Sequence, residues 1–260
     1  METLSSGDFY DRLARAFDVM TDWESRLARE LPFIEEVLGR QKTKRVLDVA
    51  CGTGWHSIAL AQRGYTAAGC DASPKMIERA KENAARAGVA VRFETADFAG
   101  LDIFTEPFDA VLCLGNSLPH LLSQEALREA VRAMRGRLTP EGVLILHNLN
   151  YDFRMKAKPR FFSANGTAEE LVWRFADYGP ELITFHTALF ERKLAQNMEG
   201  AASWSVEVNS TLQRPLLAAD LEDALVRAGF RNLQFFGGLD GSLFDMEKSG
   251  DLVVVAAGGK

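Results

Sequence analysis

The sequence predicts an α/β protein built on a mostly parallel sheet that carries helices on both faces. Apolar, β-branched runs and helical segments alternate five times between residues 45 and 147, a rhythm typical of parallel strands joined by helical crossovers. The first unit, residues 45–71, joins a buried strand, a glycine-containing turn, a helix and a second strand that ends on an acid. This order is typical of a nucleotide-binding site.

The N-terminal residues predict a pair of helices. Apolar side chains recur at helical spacing over residues 8–20 and again over 22–39, and Asp22 suits the N-cap of the second helix. Pro32 lies inside that second segment, where a proline can kink or interrupt a helix.

The turn of the first α/β unit contains Gly52 and Gly54. Glycine takes backbone conformations that other residues avoid and lets the chain approach a ligand closely. Asp71 follows the second strand, so we expect its carboxylate at the carboxyl edge of the sheet, beside this turn. The predicted elements are a strand at 46–50, a helix at 57–62 that ends near Gly64, and a strand at 66–70.

The next helix has clear start and stop signals. Ser73 is a good N-cap, Pro74 suits the first helical position, and Gly88 ends the helix after residue 87. The remaining predicted elements of the core are strands at 89–94, 108–114 and 143–147, a helix at 124–138, and a turn at 139–142.

The rhythm changes after Tyr151. Three β-rich runs, at 171–178, 182–192 and 204–212, predict an antiparallel meander, and a helix at 218–228 and strands at 232–236 and 252–256 then restore the α/β pattern. We therefore divide the chain into an N-terminal helical cap (1–40), a nucleotide-binding core (41–150), an antiparallel β insertion on the substrate side (151–215) and a C-terminal completion of the core sheet (216–260).

Composition narrows the class of partner. A chain of 260 residues with 47% hydrophobic residues, a net charge of −6 and a pI near 5.4 predicts a globular protein without the basic footprint of nucleic-acid or membrane-surface binders. The three cysteines lie apart in apolar runs, which favours reduced core thiols over a disulfide or a metal site. We expect a cytoplasmic protein with a small-molecule substrate; the oligomeric state stays open.

The motif Asp48–Val–Ala–Cys–Gly–Thr–Gly54 lacks the third glycine of a dinucleotide fingerprint, because Ser57 stands at that position. The motif resembles motif I of class I S-adenosylmethionine-dependent methyltransferases, whose core is a Rossmann-like sheet. The resemblance implies that Asp71 holds both ribose hydroxyls. It also implies that Asp97 accepts from the adenine amine while the Phe98 backbone N–H serves a ring nitrogen.

Two downstream stretches indicate which methyltransferases the sequence resembles most. Residues 112–121 read LCLGNSLPHL, and Asn150, Tyr151 and Asp152 form an N-Y-D motif. Together they resemble glycine N-methyltransferase and the bacterial glycine/sarcosine N-methyltransferases. The resemblance implies that the end of the fourth strand lines the cofactor, with Asn116, Ser117 and His120, and that Asn150 faces the substrate carboxylate.

The same resemblance implies that Arg26, 19 residues before Arg45, grips the carboxylate of the cofactor. A guanidinium offers paired donors in one plane for that purpose. Trp23 and Tyr10 either close the pocket over the sulfonium or are core aromatics. For the substrate carboxylate, chemistry alone offers Arg174, Arg192 and Arg214, of which we choose Arg174.

The predicted site therefore has two parts, and no residue is assigned a catalytic role or a metal. The cofactor side, for S-adenosyl-L-methionine, comprises Trp23, Arg26, Asp48, Ala50, Gly52, Gly54, Asp71, Met76, Asp97, Phe98, Leu114, Asn116, Ser117 and His120. The substrate side comprises Tyr10, Asn150, Tyr151 and Arg174.

The leading functional hypothesis is methyl transfer to a nitrogen of glycine, sarcosine or a similar amino acid. The second hypothesis within the family is an O-methyltransferase of a phenolic or carboxylic metabolite, which needs a general base such as His120, His147 or His186. Outside the methyltransferases, the sequence allows a non-catalytic cofactor-binding protein or a nicotinamide dehydrogenase. The missing third glycine counts against the dehydrogenase.

Overall fold

The computed structural model describes residues 2–194 and 202–258. The helices are α1 (Ser6–Leu13), α2 (Phe17–Met20), α3 (Trp23–Arg40), α4 (Trp55–Gln62), α5 (Pro74–Ala87), α6 (Gln124–Arg137), α7 (Tyr151–Ala157) and α8 (Ala218–Arg227). The strands are β1 (Arg45–Val49), β2 (Thr66–Asp71), β3 (Arg92–Thr95), β4 (Phe108–Cys113), β5 (Leu138–Leu149), β6 (Phe161–Gly166), β7 (Glu170–Tyr178), β8 (Ile183–Leu194), β9 (Ala202–Gln213), β10 (Phe230–Phe236) and β11 (Asp251–Gly258).

Seven strands form the central sheet, in the order β10-β11-β5-β4-β1-β2-β3. The strands from β5 to β3 are parallel, whereas β11 runs antiparallel to β5 and β10 antiparallel to β11. This arrangement confirms the predicted α/β class. The strand order reverses between β1 and β4, and ligands of open α/β sheets bind at the carboxyl ends of the strands at such a point.

Alternate side chains of each central strand enter different hydrophobic cores. Leu47 and Val111 pack on one face, against α6 and α8, whereas Val46 and Ala110 pack on the other, against α3 and α4. Burial on both faces explains why β1 and β4 read as continuous apolar runs. Within the part of the chain that the structure describes, no helix is long and apolar enough to span a membrane.

The second sheet is antiparallel, with strands in the order β6-β7-β8-β9. One face of this sheet packs on the N-terminal helices, where Phe9 and Leu13 of α1 contact Val172 of β7. The N-terminal segment is therefore held between the two sheets, and it closes the space above the carboxyl edge of the central one.

The prediction of one continuous helix over residues 8–20 is wrong. The helix α1 ends at Leu13, and the separate short helix α2 begins at Phe17. The break sets the Phe17 ring against the first glycine turn, since a Cβ added to Gly52 would lie 3.4 Å from it. Contacts with the turn therefore override the helical pattern. Pro32, by contrast, lies inside an uninterrupted α3.

The predicted turn at 139–142 is also wrong, because these residues belong to β5. Leu138 pairs with Phe108, yet the next pair joins Val143 to Ala110, so β5 carries extra residues at this point. Pro140 and Gly142 form an irregularity in the strand instead of a turn before it.

Two elements of the substrate side were not predicted. The helix α7 follows Asn150, whose side chain accepts a hydrogen bond from the Phe153 N–H as an N-cap does. The strand β6 pairs with β7 at Ala164 and Asn165, although its residues Ser163 to Gly166 have low strand propensity. Pairing with β7 therefore stabilises β6 as a strand, although the local sequence does not favour one.

Candidate functional site

A cavity of about 1010 Å³ lies at the carboxyl edge of the central sheet. Its wall combines residues of the strand ends, the N-terminal helices and the antiparallel sheet. Most predicted site residues line it, and these are Tyr10, Trp23, Arg26, Asp48, Ala50, Gly52, Asp71, Met76, Asp97, Phe98, Leu114, Asn116, Ser117, His120 and Arg174. Gly54, Asn150 and Tyr151 are not among its lining residues.

The turn after β1 brings its backbone to the Asp71 carboxylate. The Gly52 N–H donates to Asp71 Oδ2 at 2.9 Å, and the Ser73 N–H donates to Oδ1 at 2.9 Å. Gly52 has a φ of +55°, in the left-handed region that favours glycine. Each carboxylate oxygen retains a lone pair for a further donor from the cavity.

Gly54 has a different role from the predicted one. Its φ is +81°, and a Cβ at this position would lie 2.6 Å from the Phe93 ring and 3.0 Å from the Ala80 Cβ. Close packing of the turn and α4 on β3 and α5 therefore requires glycine at position 54. Contact with a ligand does not explain the glycine, because Gly54 does not line the cavity.

Two acids near the turn, the buried Asp48 and the half-buried Asp71, are close enough for their charges to interact. Burial and, to a smaller extent, the nearby Asp71 charge raise the pKa of Asp48, while a hydrogen bond of 3.0 Å from Ser57 Oγ lowers it; the net result is a pKa of about 7. Burial likewise raises the pKa of Asp71, while its bonds to Ser73 and Gly52 lower it. This edge of the cavity thus offers strong acceptors for hydroxyl or ammonium donors.

Asp97 lies in the loop after β3. Its Oδ1 accepts from the N–H groups of Ala99 and Gly100 at 2.9 and 3.0 Å. The side chain therefore folds back on its own loop and fixes the position of the neighbouring Phe98. Both residues line the cavity.

Arg26 is held in place by two neighbours. Its Nε donates to the Glu30 carboxylate at 2.9 and 3.1 Å, and its guanidinium lies 5.0 Å from the centre of the Trp23 ring. Its two Nη groups form no hydrogen bond with another residue of the part of the chain that the structure describes. Since Arg26 lines the cavity, these groups are free to serve a ligand.

Glu30 and His56 complete this arrangement, and the sequence analysis missed both. His56 Nε2 lies 2.8 Å from Glu30 Oε2. Burial raises the pKa of Glu30, but the His56 hydrogen bond and the Arg26 charge outweigh burial and bring the pKa to about 2. Burial also lowers the pKa of His56. The position of Glu30 four residues after Arg26 was the available signal.

The loop after β4 is fixed by Asn116, which has a φ of +70°. Its Nδ2 donates to the Tyr151 hydroxyl at 3.0 Å, and its Oδ1 accepts from the Leu149 N–H at 3.0 Å. The Asn116 side chain therefore ties the ends of β4 and β5 together. Tyr151 supports the site from behind this loop, where it donates to Gln213 Oε1 at 3.2 Å.

The structure contradicts the prediction that Asn150 faces the substrate carboxylate. Its Nδ2 donates to the carbonyl groups of Met246 and Ser249 at 3.0 and 2.9 Å, and its Oδ1 caps α7. The side chain is fully buried. Asn150 therefore fastens the segment before β11 to the end of β5 and has no donor left for a substrate carboxylate.

His120 and Tyr10 meet inside the cavity. The Tyr10 hydroxyl lies 3.2 Å from His120 Nε2, and the Gln213 Nε2 lies 3.4 Å from the same nitrogen. Both neighbours are donors, so Nε2 is the acceptor of a neutral imidazole. Burial lowers the pKa of His120 to about 4, which keeps the ring neutral at physiological pH.

The structure distinguishes among the three candidate arginines. Arg174 lines the cavity, and its Nε donates to Ser163 Oγ at 2.9 Å. Arg192 pairs with Glu169, and Arg214 donates to Gln124; neither lines the cavity. A further arginine, Arg154 of α7, does line it. Arg154 was not among the predicted site residues because α7 was not predicted.

Comparisons with known proteins identify the family of this chain. Residues 46–142 match the family model described as a methyltransferase domain. The glycine/sarcosine N-methyltransferase of Aphanothece halophytica is 37% identical over 195 residues, which cover 70% of this chain and 74% of the relative. The chain belongs to the S-adenosylmethionine-dependent methyltransferases.

Other relatives share a shorter region. The glycine/sarcosine N-methyltransferases of Halorhodospira halochloris and Parasynechococcus marenigrum are 36% and 41% identical over 147 residues. These alignments cover 56% of this chain and 54% and 50% of the relatives, so the chain spans about half the length of these two relatives.

Solved structures show the same fold. An S-adenosylmethionine-dependent methyltransferase from Clostridium acetobutylicum superposes with a TM-score of 0.79 at 18% identity, over 96% of this chain and 99% of that one. The CcbJ methyltransferase from Streptomyces caelestis superposes with a TM-score of 0.78 at 21% identity, over 97% and 98%.

The donor set of the cavity fits S-adenosylmethionine, the cofactor of this methyltransferase family. Asp71 retains lone pairs that would serve two ribose hydroxyls, and Asp97 and Phe98 line the same cavity, where they would border an adenine. The free Nη groups of Arg26 suit a carboxylate, which a planar guanidinium binds with two parallel hydrogen bonds. The cavity thus has groups that would complement the ribose, the adenine and the carboxylate of this cofactor.

Proposed function

We propose that this methyltransferase transfers a methyl group to the nitrogen of a small amino acid, with glycine and sarcosine as the first acceptors to test. Arg174 is the observation that carries the proposal. This guanidinium lines the same cavity as the cofactor residues, and within the described residues it has no ion-pair partner. Arg174 is half-buried; a cation that loses hydration without gaining a counterion is costly, and an acceptor carboxylate would neutralise it.

The relatives support the choice of acceptor. Three of them, from Aphanothece halophytica, Halorhodospira halochloris and Parasynechococcus marenigrum, are named glycine/sarcosine N-methyltransferases. The corrections to the predicted cavity residues do not change the proposed reaction. Asn150 is withdrawn from the acceptor site, whereas Tyr10 and Arg174 remain in the cavity.

The reaction requires little from the protein beyond placement. When bound, S-adenosylmethionine supplies an electrophilic methyl group on a sulfonium. Arg174 would hold the acceptor carboxylate, and Tyr10 and Phe185 would exclude water from the space between the acceptor and the sulfonium. The acceptor amine must be neutral to attack, and the positive charge of Arg174 favours its neutral form.

O-methylation with a histidine base has less support from the site. His120 has a pKa of about 4 and accepts hydrogen bonds from Tyr10 and Gln213, so it would be a weak base. His186 does not line the cavity; it stacks on Phe175 with ring centroids 4.6 Å apart. His147 accepts from the Gly115 N–H through Nδ1 at 3.3 Å.

Substitution of Arg174 tests the proposal. The wild type, Arg174→Ala and the control Arg192→Ala, which alters an exposed arginine outside the cavity, are assayed with labelled cofactor against amino acids, simple amines and phenols. We expect label transfer to amino acids in the wild type and the control, and at least about a tenfold loss of kcat/KM in Arg174→Ala. Transfer only to phenols or uncharged amines would overturn the proposal.

We further propose that the protein acts in the cytoplasm on a small molecule and not on nucleic acid. The three cysteines are buried free thiols, as expected where thiols stay reduced. The net charge of −6 does not favour a polyanionic partner.

A further inference from the structure

Arg154, on the helix α7, presents a second cation to the cavity. Its guanidinium lies over the Phe162 ring, 4.6 Å from the ring centre, and beside the Tyr178 hydroxyl, whose pKa it lowers against the effect of burial. Its Nε and Nη1 are buried and have no hydrogen-bond partner. Those two donors are covered by protein, so Nη2 is the donor that a ligand in the cavity can reach.

The charges around Arg154 and Arg174 are unbalanced. Arg26 is neutralised by Glu30 at 2.9 Å, but neither Arg154 nor Arg174 has a carboxylate within ion-pair distance among residues 2–194 and 202–258. Burial is the main cause that lowers the pKa of Arg174, and the positive charges of Arg26 and Arg154 lower it further. An arginine nevertheless stays protonated at neutral pH.

Two like charges held in one cavity favour a ligand with more than one negative charge. An amino acid with a single carboxylate can neutralise Arg174 and still leaves Arg154 unpaired. Arg154 and Arg174 also stand on different elements, α7 and β7, so each can donate to a carboxylate of its own. The arrangement suits two separate carboxylates.

We propose that Arg154 forms a second anion subsite, and that the preferred methyl acceptor is an amine carrying two carboxylates. This inference rests on the proposed N-methyltransferase function and names its acceptor class. Arg174 binds one carboxylate, Arg154 binds the other, and the amine between them faces the cofactor side of the cavity.

Paired acceptors provide the test. Glycine is compared with L-aspartate, and sarcosine with iminodiacetate, so that each pair differs by one carboxylate while the amine class is kept. The proteins are the wild type, Arg154→Met, which retains an apolar contact for Phe162, and Arg192→Met, which removes an exposed arginine outside the cavity. Both label transfer and calorimetric binding to the protein loaded with S-adenosylhomocysteine are measured.

The subsite predicts a selective loss. In the wild type and in Arg192→Met, the two-carboxylate acceptors should bind at least about tenfold more tightly than their partners. Arg154→Met should weaken their binding by about 10- to 100-fold and that of glycine by less than about threefold. Unchanged affinity for S-adenosylhomocysteine would show that the variant is folded.

Three results would overturn the inference: no preference for two carboxylates in the wild type, no effect of Arg154→Met, or an equal loss for glycine and aspartate. The last result would mean that both arginines hold one carboxylate. Binding of the dicarboxylate without transfer to any amine would contradict the proposed function and leave the anion subsite supported, so the two failures are distinguishable.

Discussion

Glu30 accepts a hydrogen bond from Arg26 Nε at 2.9 Å and so orients a guanidinium whose other nitrogens face the cofactor cavity. The acid is one turn further along the same helix, and His56 of α4 holds its second oxygen at 2.8 Å. Arg26, Glu30 and His56 therefore form a three-residue unit that joins α3 to α4, and we propose that this unit holds the carboxylate of the cofactor.

Replacing Arg26 with lysine should weaken cofactor binding although the charge is kept. A lysine cannot contact Glu30 and present two parallel donors to a carboxylate at the same time. We expect a loss of about 1.5 to 3 kcal/mol in the affinity for S-adenosylhomocysteine. Calorimetry measures it, with Arg40→Lys, an exposed change on the same helix, as the control. Equal affinity of Arg26→Lys and the control would refute the clamp.

Glu30 should make the protein sensitive to acid. Its pKa is about 2 in the folded protein and near 4.5 when unfolded, so its contribution to the free energy of unfolding is present above about pH 5 and is lost as the pH falls towards 2. A lowered pKa of His56 acts in the same direction, since protonation of His56 also favours the unfolded state.

The variant Glu30→Gln should therefore be less stable at pH 7 and should lose part of this pH dependence. Chemical unfolding at pH 7, 5 and 3 measures the difference, with Glu36→Gln as an exposed control on α3. We expect the gap between Glu30→Gln and the wild type to narrow as the pH falls. A constant gap over this range would contradict the ionised, paired state of Glu30.

His120 should not act as the base of the reaction. With its pKa lowered to about 4 by burial, the ring stays neutral from pH 6 to 9, and the rise of kcat/KM with pH should follow the ionisation of the acceptor amine. His120→Gln keeps an acceptor for Tyr10 and should leave the inflection of the profile in place. An inflection near pH 6.5 that disappears in the variant would instead identify His120 as a base.

Asn150 should matter for folding and not for the acceptor. Asn150→Ala leaves the Met246 and Ser249 carbonyl groups without their donor and removes the cap of α7, so we expect a loss of about 2 to 4 kcal/mol of stability. Thermal or denaturant unfolding measures this loss. The KM for the amino acid, measured well below the melting temperature, should change little; a large rise in KM alone would restore Asn150 to the substrate site.

Local sequence predicted the central fold because its signals are short-range. Ser73, Pro74 and Gly88 bound α5 at the residues that the structure shows, and the buried strands β1 and β4 carry unbroken apolar runs. The glycine turn and Asp71 were found in the same way, because the strand-turn-helix order places them at one sheet edge whatever the rest of the chain does.

The parts that were missed depend on contacts distant in sequence. The strand β6 exists because β7 pairs with it, and Phe17 breaks the first helix because it packs on the Gly52 turn. The roles of Asn150 and Arg154 were misjudged for the same reason. A resemblance in sequence could not show that Met246 and Ser249 occupy the Asn150 amide, or that α7 turns Arg154 towards the cavity.

The most direct test of the proposed N-methylation follows the methyl group itself. The protein is incubated with methyl-labelled S-adenosylmethionine and one amino acid, and mass spectrometry identifies the labelled product and S-adenosylhomocysteine. We predict equal amounts of the two, with the label on the amino nitrogen of an acceptor that carries a carboxylate. Formation of the label only on oxygen, or tight binding of S-adenosylhomocysteine with no transfer to any amine, would contradict the proposed function.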